Sequence, residues 1–268
     1  MTIAALLCHR LNEGRSFFQR VHTSGQQGWR LLLDLLFPSR CPVCQTSVAT
    51  PHTLCRACEQ DLPARPDAFC RRCGEMTEQP MQTCSACQDV AWAPDGFYCA
   101  FVFEDRVRTL LHAFKYKDQG HLAKMLGGLC WERLGPDLQQ ETLDVVIPMP
   151  LHWRRLWWRR YNQSALLARV LSHHLGKPMD TGGLIRRRNT IPQANLDAGG
   201  RRENVRGAFL ADARRVQGRQ VLLVDDVTTT GATLTAAAFA LKHAGARRVV
   251  VVVLARALPT HGVVSSMG

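Results

Sequence analysis

Two adjacent carboxylates followed by a run of hydroxyls are the residues of this chain best suited to chemistry. Asp225 and Asp226 follow the apolar run Val221-Leu222-Leu223-Val224 and precede Val227-Thr228-Thr229-Thr230-Gly231-Ala232-Thr233. The apolar run predicts a buried strand, and the Ala-rich sequence after Gly231 predicts a helix. An α/β protein presents a site in this order, at the carboxyl end of a strand. The hydroxyls of Thr228, Thr229, Thr230 and Thr233, the backbone N–H groups around Gly231 and Ala232, and a helix N-terminus all favour a phosphate. Asp225 and Asp226 cannot serve that phosphate, because like charge repels it. They suit a neutral polyol beside it, such as a ribose whose hydroxyls donate to carboxylate oxygens. No Gly-Lys-Ser/Thr follows, so the loop is not a P-loop. The plain alternative is a strand, turn and helix whose acids and threonines only shape the turn.

A second set of residues points to metal. Eight of the eleven cysteines fall in four Cys-x-x-Cys pairs: Cys41 and Cys44, Cys55 and Cys58, Cys70 and Cys73, Cys84 and Cys87. Ten, eleven and ten residues separate the pairs, so the region is an internal repeat. Each pair can turn two thiolates toward one ion, and two pairs complete a tetrahedral zinc–sulfur site. Two structural zinc ions are therefore expected, and metal should supply much of the folding energy of so small a region. Sequential pairing is the simplest arrangement, with an interleaved one as its rival. Cys8, Cys99 and Cys130 stand alone.

The elements that must position these groups can be read in order. Residues 1–28 show no clear periodicity and are expected to be a disordered leader, or to begin at too early a start codon. Residues 29–37 read as a short apolar helix opening a 29–93 metal-binding region. Pro94 marks the expected start of a second domain, 94–258, and 259–268 reads as a tail. In the second domain a strand is expected at 97–103 and a helix at 105–116 with Val107, Leu110, Leu111 and Phe114 on one face. A second helix is expected at 121–134, a strand at 143–147 and a helix from 164 to 175. Between the last two lies a loop with four arginines and three tryptophans in nine residues, 152–160. Three readings compete for it: Arg154 or Arg155 holding a pyrophosphate, aromatics and arginines holding nucleic acid, or a tryptophan ridge packed inside. Residues 182–209 are long and polar, with Gly199-Gly200 in the middle, and read as a hinged lid carrying Gln193 and Arg201. A helix at 232–244 and a strand at 249–254 finish the unit.

The net charge of +12 points to acidic partners, whether nucleic acid or a substrate with several phosphates. No apolar run is long enough to span a bilayer. The start lacks a basic leading region and a cleavage site, and the cysteine spacing suits a reducing compartment, so the expected location is the cytoplasm.

The stretch 221–233 resembles the phosphoribosyl-pyrophosphate (PRPP) signature of type I phosphoribosyltransferases. The chain as a whole resembles the ComF family, most closely its GntX-like members. The matching residues are Leu-Leu-Asp-Leu-Leu-Phe-Pro at 32–38, the Cys-x-x-Cys set, Pro148-Met-Pro150 with Arg155, and Arg160-Tyr-Asn-Gln-Ser164. Gln193 to Leu196, Arg201-x-x-Asn204, Ala208-Phe209 and the acid–threonine loop complete them. The resemblance implies an α/β fold of the type I phosphoribosyltransferase kind, a central and mostly parallel sheet with helices on both faces, preceded by a small double zinc ribbon. It implies PRPP bound with Mg²⁺ by Asp225, Asp226 and residues 228–233. Arg154 or Arg155 would meet the pyrophosphate, and Gln193 and Arg201 would belong to a hood. It also implies a role in DNA uptake or in using DNA as a nutrient, with single-stranded DNA and DNA-uptake or processing proteins as partners. The phosphoribosyl acceptor is not named by any residue. Glutamine chemistry is not expected, because Thr2 follows Met1 where a cysteine nucleophile would stand.

Overall fold

The structure, a computed structural model, describes residues 38–63, 68–75, 77–85, 87, 93–116, 119–188 and 207–257. The expected leader, the apolar helix at 29–37, Gln193, Gly199-Gly200, Arg201 and the tail lie outside the described residues. The chain divides into two compact units, Met1–Cys55 and Arg56–Gly268. In the first, Arg40 and Ser47 form an antiparallel bridge around a tight turn. Cys41 N–H donates to the Thr46 carbonyl (2.8 Å) and Gln45 N–H to the Cys41 carbonyl (2.9 Å), which is the backbone of a metal knuckle.

The second unit begins with α1 (Arg56–Gln60) and then builds an α/β layer structure. Its elements are β1 (Gly96–Val102), α2 (Asp105–Tyr116), α3 (Leu122–Gln139), β2 (Val145–Pro148), α4 (Trp153–Arg159) and α5 (Gln163–Leu175). Then follow β3 (Leu184–Arg186), β4 (Phe209–Ala211), α6 (Ala213–Val216), β5 (Gln220–Thr228), α7 (Ala232–His243) and β6 (Arg248–Arg256). Four strands form one parallel sheet in the order β1-β6-β5-β2, and β3 with β4 forms an antiparallel pair. The two central strands read as continuous apolar runs, as strands covered on both faces must. Val145, Ile147, Val221, Leu223, Val249, Val251 and Val253 share one buried cluster with Leu234, Ala237 and Leu241 of α7. The alternate residues Val146, Leu222, Val224, Val250 and Val252 are equally buried, under α3 and α5. Among the described residues no helix is long and apolar enough to cross a membrane.

Several elements end elsewhere than the sequence predicts. The apolar run 221–224 does not end β5, which continues through Asp225 and Asp226 to Thr228. The reason is β6, whose Val253, Ala255 and Arg256 pair with Asp225, Val227 and Thr228. Helix α3 does not stop at Leu134. It runs through Pro136 to Gln139, because fully buried Leu138 anchors its last turn. The tryptophan-rich loop is in fact a helix, α4. His152 accepts the Arg154 N–H at its start, and Arg160 leaves it in a left-handed conformation. Residues 184–186, near the start of the expected lid, pair with 209–211, at and just past its end, as β3 and β4.

Two connections fix β2, on which one half of the site stands. Val146 N–H donates to the Pro178 carbonyl, and Asp180 N–H to the Val146 carbonyl, both at 2.9 Å. Asn162 links the loop after β2 to α5. Its Oδ1 accepts the Ser164 N–H (3.1 Å), capping the helix, and its Nδ2 donates to the Met149 carbonyl (3.0 Å). Replacing Asn162 by Ala removes both bonds. The expected loss is about 1–2 kcal/mol, read as a lower urea midpoint with unchanged slope.

Candidate functional site

The acid pair sits at the carboxyl end of β5, where three elements meet it. Asp225 Oδ1 accepts from Ser164 Oγ of α5 (2.8 Å) and from the Asp226 N–H (2.9 Å). Asp226 Oδ1 accepts the Val227 N–H (2.7 Å), and its Oδ2 pairs with Lys115 Nζ at the end of α2 (2.9 Å). The two carboxylates thus face different partners, one a hydroxyl and the other a cation. Burial, then the neighbouring Asp226 charge, pushes Asp225 up to about 7. Lys115 stands in the last turn of α2, and nothing in its sequence spacing ties it to Asp226.

Beyond the acids the chain turns. Thr228 is buried and Thr229 and Thr230 are exposed, while Gly231 adopts a left-handed conformation (φ 73°) directly before α7. That φ is why glycine stands there. Ala232 N–H reaches Thr230 Oγ1 at a long 3.4 Å. The twelve residues of α7 start at this turn, so its first N–H groups face the same end of the sheet as the hydroxyls.

The neighbouring strand β2 delivers positive charge to the same end. Pro148 of β2 pairs with Val224 of β5, so the chain leaving β2 emerges beside Asp225. His152 is buried there, and burial together with Arg186, Arg154 and Arg155 holds its imidazole below the usual range. Burial and Arg155 also lower Arg186 to about 10, against the pull of Asp225. Arg186 of β3 thus lies within electrostatic reach of Asp225 and also of Arg155, which α4 carries. Arg154 lies over the Trp153 ring, 5.3 Å from its centroid. Arg186 was read only as part of a polar lid, because it reaches here through the β3–β4 pair. Trp153, Trp157 and Trp158 are 65%, 85% and 70% exposed, which rules out the packed ridge. Residues 225–233 of the predicted phosphate and ribose set run continuously through the end of β5, the turn and the start of α7, and Arg154 and Arg155 stand near His152. Gln193 and Arg201 lie outside the described residues.

The cysteines assemble in sequential sets. Cys41, Cys44, Cys55 and Cys58 form one group and Cys70, Cys73, Cys84 and Cys87 another, with the sulfurs of each within 4.8 Å of one another. A tetrahedral zinc–thiolate site places its sulfurs about 3.8 Å apart. Cys44 and Cys55 stand at 3.5 Å and Cys73 and Cys84 at 3.7 Å, so both sets fit zinc. In the second set Cys84 N–H donates to Cys70 Sγ (3.2 Å), a bond that steadies a thiolate. Burial pushes the Cys87 thiol up to about 12.

The raised Asp225 carries a prediction. An acid with a raised folded-state pKa favours the folded protein while protonated, and that stability is lost as pH rises from about 4 to about 7. Asp225→Asn keeps the acceptor for Ser164 and removes the charge. The variant should melt several degrees above wild type at pH 8, with the gap narrowing as pH falls and closing only below about pH 4, by calorimetry.

Comparison with known proteins agrees with this architecture. A family profile described as a double zinc ribbon domain matches residues 32–88, and one described as a phosphoribosyl transferase domain matches 162–264. Competence protein F of Haemophilus influenzae is 30% identical over 229 residues, covering 82% of this chain and 98% of its own. DNA utilization protein YhgH of Salmonella typhimurium is 30% identical over 228 residues, covering 84% of this chain and all of its own. Among solved structures, the purine phosphoribosyltransferase from Pyrococcus horikoshii Ot3 aligns at 22% identity and a TM-score of 0.32 over 49% of this chain and 74% of its own. With its two Cys₄ sets, its parallel sheet and the near-complete coverage of these relatives, the chain belongs to the ComF family of competence and DNA-utilization proteins.

Proposed function

We propose that the protein binds PRPP with Mg²⁺ and works as a cytoplasmic phosphoribosyltransferase-family factor in DNA uptake or the use of DNA as a nutrient. One observation carries this reading: an acid pair, a hydroxyl turn, a helix N-terminus and a cluster of arginines meet at one end of one parallel sheet. In this reading Thr228, Thr229, Thr230, Thr233 and the N–H groups of Gly231 and Ala232 hold the 5′-phosphate. Asp225 and Asp226 accept the ribose hydroxyls. Arg154, Arg155 and Arg186 hold the pyrophosphate, with Gln193 and Arg201 in the hood. Mg²⁺ bound with PRPP supplies charge neutralisation for the leaving pyrophosphate. The reaction open to such a site is displacement at C1 of the ribose. The C1–oxygen bond breaks, pyrophosphate leaves with the electron pair, and a nucleophilic acceptor forms the new bond and sheds its proton. Partners among DNA-uptake or processing proteins fit the family role.

The ligand reading is tested by thermal shift. PRPP with Mg²⁺ should raise Tm, and the Asp225→Asn/Asp226→Asn double variant should lose that rise while remaining folded. A wild-type protein unmoved by millimolar PRPP would sink the assignment.

A second reading rests on α4. Three exposed tryptophans among arginines present stacking faces and phosphate contacts to single-stranded DNA. Filter binding should then show affinity that falls steeply with salt. Trp157→Ala with Trp158→Ala should weaken it by about 1–3 kcal/mol per base lost from stacking.

A further inference from the structure

The second cysteine set is part of the same compact unit as the acid–threonine loop, and one side chain joins them. Arg256 is the last residue of β6 and is 6% exposed. Its Nη1 donates to the Cys73 carbonyl, and its Nη2 meets the Glu75 carboxylate at 2.5 Å. Its guanidinium lies 5.7 Å from the centroid of the Phe97 ring. Gly74, between those two partners, has a left-handed backbone (φ 75°), and a Cβ there would run into the same ring. The knuckle is closed on itself by Cys70 N–H to the Glu75 carbonyl (2.8 Å) and Gly74 N–H to the Cys70 carbonyl (2.7 Å). The other side of Arg256 is the loop. Its register partner on β5 is Thr228, and the next residue, Ala257, donates its N–H to the Thr228 carbonyl (2.8 Å).

The geometry points to Arg256 as a positioning residue that makes the shape of the Thr228 loop depend on metal in the second cysteine set. Zinc folds the knuckle, and the folded knuckle presents the Glu75 carboxylate and the Cys73 carbonyl to a buried cation. Without that shape Arg256 keeps a buried charge and loses its counter-ion, a strongly unfavourable state. The end of β6 must then move to return the guanidinium to water. Because Ala257 and Thr228 are bonded, the first residue of the hydroxyl turn moves with it. The contact also runs the other way: a guanidinium on the carbonyl of a ligand residue orients that ligand for its ion.

The consequence for a ligand rests on the phosphoribosyl reading of the loop, and the test separates the two. Full-length, zinc-loaded protein is compared with Arg256→Gln and Glu75→Gln in three measurements. Zinc transfer to a chromophoric chelator from the buried set should speed up at least tenfold in both variants, within the range of roughly 10–100-fold seen when groups behind a ligand are removed. Amide hydrogen exchange should rise at 228–232 and stay unchanged in β2. Affinity for PRPP with Mg²⁺ should fall about tenfold. Unchanged zinc release overturns the inference. Faster release with unchanged exchange and affinity at the loop overturns it too, since Arg256 would then brace the knuckle alone. If wild type binds no PRPP, the ligand reading fails, and the inference is decided by the exchange at 228–232. If Arg256→Gln does not fold, Glu75→Gln tests the same contact from its other side.

Discussion

Two carboxylates cannot stand side by side on a strand end without help, and the second unit is built around supplying it. Asp226 is buried and Asp225 partly so, which leaves their mutual repulsion less screened than at an open surface. Lys115 from α2 neutralises one, and Ser164 from α5 hydrogen-bonds the other. Each helper must arrive with its own helix. Asn162 fixes where α5 starts, and a buried stripe of Val107, Leu110, Leu111 and Phe114 fixes how α2 lies. The compensation remains incomplete, as the raised Asp225 shows.

The cysteine sets solve a different problem. Residues 38–87 offer few large apolar side chains, and a segment with so little to bury does not hold a shape by hydrophobic contact alone. Zinc–thiolate geometry replaces that core. The second set also joins the apolar cluster of the sheet, where Cys70, Cys73, Cys84 and Cys87 are buried with Phe97 and Val251. Metal and sheet therefore share one interior.

What could be read in the sequence was local in kind. The Cys-x-x-Cys spacing, the apolar run of β5, the turn glycine and the α2 stripe are each set by neighbours a few residues away. Their positions were legible for that reason. The contributions of Lys115 and Arg186 were not, because each reaches the acids from a remote element through the sheet order β1-β6-β5-β2 and the β3–β4 pair. The same limit explains the length of β5. Its polar end reads as a loop until β6 is laid beside it. Helix α4 escaped notice because a helix with no buried residue carries no apolar period.

The segment that runs along β2 has a further effect, on how the protein behaves among other copies of itself. An open strand at the side of a sheet offers unpaired N–H and C=O groups to any other extended chain. Here the N–H and C=O of Val146 are already taken by Pro178 and Asp180, and Met179 lies alongside in register. The proline adds no N–H of its own to extend the ladder. At that side of the sheet a strand from a neighbouring molecule, or from a nascent chain, finds its template occupied. The edge of β2, which leads into the arginine-bearing helix α4, is thus also the one closed to cross-β growth.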